Sequence, residues 1–564
     1  MDFREGQCPF GTYAAALAFY TTVLGSSAFA QNIPDAGRLL KESRPQLAPP
    51  PVAAPAIGGQ QHTHLEPPNV SSDVRVHVER FDFTGNSAIA TETLRQALAA
   101  SAGKDLNFGE LTQTVEMVEA IYKQAGYFLA QAFLPPQKIR DGVVEIAISE
   151  GRLGEVRLEG ESRVASAVVF GYLDLLPRDS PLTLSVLERQ VLLVNELAGG
   201  QASLDLQAGE AAGTTDVVLV QKLEDAVNTR LEANNYGLPS TGENRLAGTF
   251  NLNGVFNRGE RITLSALTSD NAGLSNYSAR GELPRGEKGM HLFGSLSRAQ
   301  YSLGAAFASL KASGTAESVR LGASYPVIRS RGENFRVQLD ADSSKLRDEF
   351  LASNTLLEKQ GQGATMALTY DWLDEAFGGG SNKLDLSMRW GNMDLGTAAA
   401  AQDAPPAGQG TAGKYSKVNL TVQRQQTLNR YLSANALLMA QAASKNLDSS
   451  EKLSLGGPTS LPGYASGEAN ADAGYQAKLS LRWQWSPQVS LSTFVDFAAL
   501  QLSVDPLASS TKNTKRLSDA GFGLDWQMDK HILLNALIAW AGDEAPNPTD
   551  NKQPRIWVNA AVVW

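Results

Sequence analysis

Lys478-Leu479-Ser480-Leu481-Arg482-Trp483-Gln484-Trp485 is the stretch that decides how this chain is read. Successive side chains of an extended strand point to opposite faces. Leu479, Leu481, Trp483 and Trp485 therefore share one face, and Lys478, Ser480, Arg482 and Gln484 share the other. A water-soluble sheet turns its apolar face to a core. A strand in a membrane cylinder gives that face to lipid and turns the charged face to a wet interior. The same period recurs at residues 418–422, 489–497 and 522–528. It returns at the end, where Ile556, Val558, Ala560, Val562 and Trp564 fall on one face.

Working outward, residues 227–564 show period-two segments separated by Gly, Asn, Ser and Asp turns, with long helical patterns missing. With strands of about 10 residues plus turns and loops, that length accommodates roughly 16 antiparallel strands. A single soluble sandwich of this size is unusual. Past the N-terminus no run of about 18 apolar residues occurs, which excludes a membrane-spanning helix. Only a closed barrel then satisfies its own backbone hydrogen bonds in hydrocarbon. A terminal aromatic on an alternating strand resembles the insertion signal of bacterial outer-membrane barrels, so Trp564 is expected to serve as one.

Residues 1–30 read as a secretory signal: residues 13–24 are apolar, and Ala28-Phe29-Ala30 has the small-x-small form of a cleavage site. The only cysteine, Cys8, lies in that segment, so a mature chain carries no disulfide and no Cys-based metal or redox site. Residues 31–44 hold a short helical pattern, Asp35-Ala36-Gly37-Arg38-Leu39-Leu40-Lys41-Glu42. Residues 45–72 are rich in Pro, Ala, Gly and Gln and read as an extended, semi-rigid linker.

Two α+β modules follow, at residues 73–151 and 152–226. In the first, a strand at 74–83 precedes helices at 93–100 and 108–126 and strands at 128–134 and 143–148. Leu111, Val115, Val118 and Tyr122 form the apolar face of the second helix. The order strand, helix, helix, strand, strand then repeats over 155–159, 164–173, 184–197, 203–207 and 215–221.

Composition narrows the function classes. A net charge of −10 argues against a nucleic-acid partner, which requires a basic surface. The five histidines, His62, His64, His77, His291 and His531, are scattered, and no metal or other cofactor is expected. Gly-x-Ser-x-Gly, His-Glu-x-x-His and a Walker-type Lys loop are all missing, so an enzyme is not expected.

The repeated modules resemble POTRA domains, whose exposed strand edge accepts partner chains by β-augmentation. Together with the signal, short helix, Pro-rich linker and barrel, they make nearly the whole chain resemble a two-partner secretion transporter. That is the TpsB, haemolysin secretion/activation branch of the Omp85 superfamily. Asn235-Tyr236-Gly237 through Gly259-Glu260-Arg261-Ile262-Thr263-Leu264-Ser265 is similar to the family's first barrel hairpin.

The resemblance implies two POTRA domains followed by a transmembrane antiparallel β-barrel of about 16 strands, with the modules in the periplasm and the barrel in the outer membrane. It implies a monomer, inserted by the barrel-assembly machinery, that exports a large TpsA-like adhesin or haemolysin without ATP. The short helix would plug the channel. The second module would offer an edge strand, Ser203, Leu204, Asp205, Leu206 and Gln207, to the exported chain. An Omp85-type assembly factor is the alternative, but such factors carry more modules and lack the helix and linker.

Two family motifs map here. The tip of a loop folded into the barrel corresponds to Leu461, Pro462, Gly463 and Tyr464. The barrel-wall motif corresponds to Phe494, Asp496 and Ala498. Family members pair a loop Arg with the wall Asp; here Pro462 stands at the Arg position and Ala498 replaces a Gly. Arg482 on the neighbouring strand is expected to compensate Asp496, with Tyr464 packing holding the loop.

Overall fold

The computed structural model describes residues 33–42, 57–59, 74–211, 213–507, 512–542 and 550–564. The expected signal at 1–30 lies outside these residues, as does most of the Pro-rich linker. Helix α1 (Ala36–Glu42) starts where the Asp35 carboxylate accepts the backbone N–H of Arg38 at 2.9 Å, satisfying a donor that the first turn leaves unpaired. Strand β1 (Ile57–Gly59) is the only described part of the linker.

The first module runs β2 (Arg75–Val78), β3 (Arg80–Thr84), α2 (Thr91–Ala97), β4 (Lys104–Asn107), α3 (Phe108–Gln124), β5 (Gln131–Phe133) and β6 (Val143–Ser149). A reciprocal cap opens α3: Asn107 accepts from the Glu110 nitrogen, and Glu110 accepts from the Asn107 nitrogen. Leu111, Val115, Val118 and Tyr122 are all buried, as their helical spacing predicts. Strand β4 is too short and polar, Lys-Asp-Leu-Asn, to show a period in the sequence; it pairs with β2.

Glu150 is buried at the end of this module and accepts bonds from the nitrogens of Ser87 and Ala88 and from the Tyr122 hydroxyl. Burial alone raises its pKa, but these bonds outweigh burial and hold the carboxyl below its ordinary value.

The second module comprises β7 (Arg152–Gly160), α4 (Ser166–Leu173), α5 (Leu184–Val194), β8 (Gly200–Ala208) and β9 (Thr214–Leu223). Each module places an early strand parallel to its last, β3 with β6 and β7 with β9. A middle strand, β5 or β8, lies antiparallel on the other side. The repeat read from element order is thus a repeat of topology.

Sixteen strands then close into an antiparallel barrel: β10 (Val227–Asn234) through β20 (Leu432–Ala443), and β23 (Ala473–Gln484) through β27 (Arg555–Val563). The ring closes where Arg230–Asn234 of β10 pair with Asn559–Val563 of β27. Trp564 exchanges backbone bonds with Thr229 at this seam and projects outward, 55% exposed. Leu479, Leu481, Trp483 and Trp485 all face outward, whereas the Lys478 side chain is only 18% exposed. No described helix is long and apolar enough to cross a membrane. Strand β17 (Thr355–Asp374) has 20 residues, about twice what a bilayer crossing needs, so the wall extends beyond the hydrocarbon there.

Leu479→Arg puts a charge near the middle of the lipid-facing band. Urea unfolding in lipid vesicles is expected to show a loss of about 2–4 kcal/mol; a loss below about 0.5 kcal/mol would contradict a lipid-facing position.

Candidate functional site: a plugged channel

Three parts meet inside the barrel: α1, the loop at residues 444–472 joining β20 to β23, and inward rows of the wall. The loop carries a two-stranded hairpin, β21 (Leu453–Leu455) with β22 (Ala469–Ala471). The sequence reads α1 as a short helical pattern, and its apolar side is used inside the barrel. Ala36, Leu39 and Leu40 are buried in a cluster with Leu238, Leu274, Tyr301 and Leu346.

The polar bonds of α1 go to both wall and loop. Asp348 of β16 (Glu333–Phe350) accepts the Ala36 nitrogen at 2.7 Å and the Tyr301 hydroxyl. Arg38 donates to the Ser466 carbonyl at 2.9 Å, and Lys41 donates to the Lys452 carbonyl. Asp35 accepts from the Ser449 hydroxyl at 2.6 Å. Lys359 of β17 lies 3.4 Å from Asp35 and 2.8 Å from Asp448 of the loop, so one wall cation binds the start of α1 and the loop together. Gly37 is required by this closeness: a Cβ there would sit 2.9 Å from Ser449 Oγ and from Ser450 Cβ.

The loop is fastened along its length. Glu451 pairs with Lys417 at 2.8 Å and Arg389 at 3.2 Å, Lys452 with Asp472 at 2.8 Å, and Glu468 with Lys515 at 2.8 Å. Each pair is buried or nearly so, and removing one partner strands the other in a site that water reaches poorly. The tip, with Leu461 and Tyr464 both fully buried, rests on the wall. Trp557 donates its indole N–H to the Pro462 carbonyl at 2.8 Å. Tyr464 donates its hydroxyl to the Ser518 carbonyl at 3.1 Å.

The wall motif lies where alternation places it: Phe494, Asp496 and Ala498 on β24 (Val489–Gln501) point inward and are buried, while Val495 and Phe497 point outward. The expected cation is corrected. Lys478 lies directly across from Asp496 in the strand pairing and reaches it at 3.1 Å. Arg482 sits four residues along the strand, about 13 Å away at strand rise. It binds Asp525 at 3.2 Å and the Ser490 hydroxyl instead. Cross-strand register decides which charge meets which, and register is not visible in one strand's sequence.

The expected free edge at Ser203–Gln207 is also corrected. β1 pairs parallel with β8, matching Ile57 to Leu204, Gly58 to Asp205 and Gly59 to Leu206, so the linker covers that edge. Sequence reading missed Lys359, Asp448, Asp348, Gln476, Asp519 and Trp557. The same alternation that placed Asp496 inward applies to Asp519 and Trp557, but nothing local marks the others.

The second module is riveted to the barrel's near rim. Glu196, just after α5, binds Arg329 at 2.7 Å and Arg336 at 3.2 Å. Arg331 pairs with Glu188 at 3.1 Å, and Arg189 donates to the Pro326 carbonyl at 2.8 Å.

Comparison with known proteins gives two family matches. Residues 213–506 match the haemolysin secretion/activation protein family ShlB/FhaC/HecB, and residues 76–151 match the ShlB-type POTRA domain. The heme/hemopexin transporter protein HuxB of Haemophilus influenzae is 26% identical over 490 residues, covering 83% of this chain and 84% of that protein. The outer membrane transporter CdiB of Dickeya dadantii is 22% identical, covering 67% of each. Among solved structures, CdiB from Escherichia coli superposes with a TM-score of 0.70 at 18% identity, covering both chains fully. CdiB from Acinetobacter baumannii follows at 0.60 and 16%, covering 99% of this chain and 100% of its own.

Lys359→Met leaves Asp35 and Asp448 without their shared cation. The plugged state is expected to lose about 3–5 kcal/mol, read as a rise of at least about tenfold in the open fraction during single-channel recording. An unchanged open fraction would contradict the role given to Lys359.

Proposed function

The chain belongs to the haemolysin secretion/activation protein family ShlB/FhaC/HecB, outer-membrane transporters with periplasmic POTRA domains that export partner proteins, and from that premise we propose how this chain gates its channel. The observation that carries the reading is the single path of the N-terminal segment. α1 sits inside the barrel clasped by the loop, and β1, fifteen residues after Glu42, is paired on the edge of β8.

The exported chain arrives unfolded in the periplasm and needs main-chain partners. β8 of the second, POTRA-like module supplies them over Ser203, Leu204, Asp205, Leu206 and Gln207, once β1 has left. Pairing by backbone makes little demand on sequence, which suits a long chain moving in steps. β1 offers only three residues, two of them Gly, and so is a weak occupant that a longer strand displaces. Residues 43–56 link β1 to the plug. Freeing β1 lengthens the tether by at most about 3.5 Å per released residue and gives α1 room to withdraw.

Nothing in this path calls for ATP or for an enzyme. Folding of the cargo outside the cell biases movement outward. The cargo is a large secreted TpsA-like protein, and the transporter works as a monomer placed in the outer membrane by the barrel-assembly machinery. An assembly factor for other barrels has no use for a plug tethered through its own docking edge.

Deleting residues 33–43 is expected to raise conductance in planar bilayers at least several-fold while leaving the barrel folded. Conductance equal to that of the intact chain would mean that α1 does not obstruct the channel.

A further inference from the structure

Between Lys452 and Glu468 the inner loop has no Asp, Glu, Lys or Arg, so its tip brings no ionised side chain to the wall. Yet the wall beneath it is charged. Asp496 and Asp519 lie directly across from each other on β24 and β25 (Thr514–Gln527), 3% and 5% exposed. Lys478 stands 3.1 Å from Asp496, and its ammonium lies 4.4 Å above the centre of the Phe494 ring.

The bonds at the tip divide this work. The Gly463 nitrogen donates to Asp519 Oδ2 at 2.7 Å. Only glycine allows it: a Cβ at Gly463 would lie 2.7 Å from Asp519 Cβ and 2.9 Å from the Ala541 nitrogen. Gln476 donates both to Asp496 Oδ1 at 2.9 Å and to the Ser460 carbonyl at 2.8 Å, tying the carboxylate to the loop through a neutral amide. Gln553 donates to the Gly463 carbonyl at 2.8 Å. Asp496 Oδ2 is the atom that faces the Lys478 ammonium.

We propose that Asp519 is the positioning residue for the loop tip, and that Lys478 gives the wall its own counter-charge, so the tip is released by breaking hydrogen bonds without separating an ion pair. The Gly463–Asp519 bond lies where water reaches poorly, so removing the acceptor strands a buried N–H, and this makes it costly to lose. When the tip lifts, Lys478 and Asp496 remain together in the wall. A buried ion is left with its partner, and the largest cost of opening a charged lock is avoided. The loop tip is therefore built to lift; this consequence for gating rests on the export reading above, but the positioning role does not.

The test is hydrogen exchange of the peptide 457–466 in the full-length chain held in lipid nanodiscs, with export of the co-expressed partner scored separately. Asp519→Ala is expected to raise tip exchange about tenfold or more. Asp519→Asn is expected to keep wild-type protection, because its amide oxygen still accepts from Gly463 and its NH2 can donate to Asp496. Pro462→Arg alone is expected to add no protection, since Asp496 already has its cation, whereas in a Lys478→Met background it adds protection relative to Lys478→Met alone.

Asp519→Ala exchange within about twofold of wild type overturns the assignment. So does Asp519→Asn exchanging as fast as Asp519→Ala, or tenfold slower exchange in Pro462→Arg alone; the Asn and Arg variants keep the test decisive if the Ala variant fails to fold. Altered tip exchange with unaltered export upholds Asp519 and rejects the gating reading.

Discussion

The wall can exist in hydrocarbon only because every strand finds two neighbours, and the ring closes through five residue pairs between β10 and β27. Closure has a second consequence. With lipid taking the apolar face, each strand must send its alternate residues into the lumen, and many of those residues are polar. Lys359, Arg389 with its ion-pair partner Asp342, Asp348, Asp496 and Asp519 are inward for the same reason that Leu479 and Trp483 are outward. A lumen lined this way stays wet unless something fills it, and α1 and the inner loop fill it.

The filling is held by charge and hydrogen bonds together with two modest apolar clusters, one under α1 and one between the inner loop and β24–β25. A plug fixed by a large hydrophobic surface would have no way out into water at low cost. Ion pairs and hydrogen bonds exchange for water on release, so a lumen of this composition favours occupants that come and go. Lys359 couples the two occupants, since it binds Asp35 of the plug and Asp448 of the loop. Movement of either weakens the hold on the other.

Much of the architecture was legible in the sequence, for physical reasons. Period-two alternation with aromatics on the outer face is a property of single strands, so Lys478–Trp485 and the final strand could be read without a structure. The helical face Leu111, Val115, Val118 and Tyr122 is equally local. What was not legible depends on pairing between strands. Lys478 rather than Arg482 meets Asp496 because of a register set over the whole β23–β24 ladder. Asp519 joins the loop tip only because β25 lies beside β24. The three-residue β1, in a Pro-rich segment, carries no periodic signal and is defined by the edge it covers. Clusters of inward charge therefore appear in sequence as isolated polar residues on alternating strands.

The account turns on α1 having to leave the barrel for export. Apart from Cys8 in the expected signal the chain has no cysteine, and a Cβ at Gly37 lies 2.9 Å from Ser450 Cβ, so the Ser449–Ser450 turn has to give by about 0.6 Å to reach disulfide spacing. The most direct measurement is export by the Gly37→Cys, Ser450→Cys chain with the bond closed and then reduced. A plug that must leave predicts export blocked when the disulfide is closed and restored by reductant. Equal export in both states would show that polypeptide passes with α1 still in place and would contradict the account.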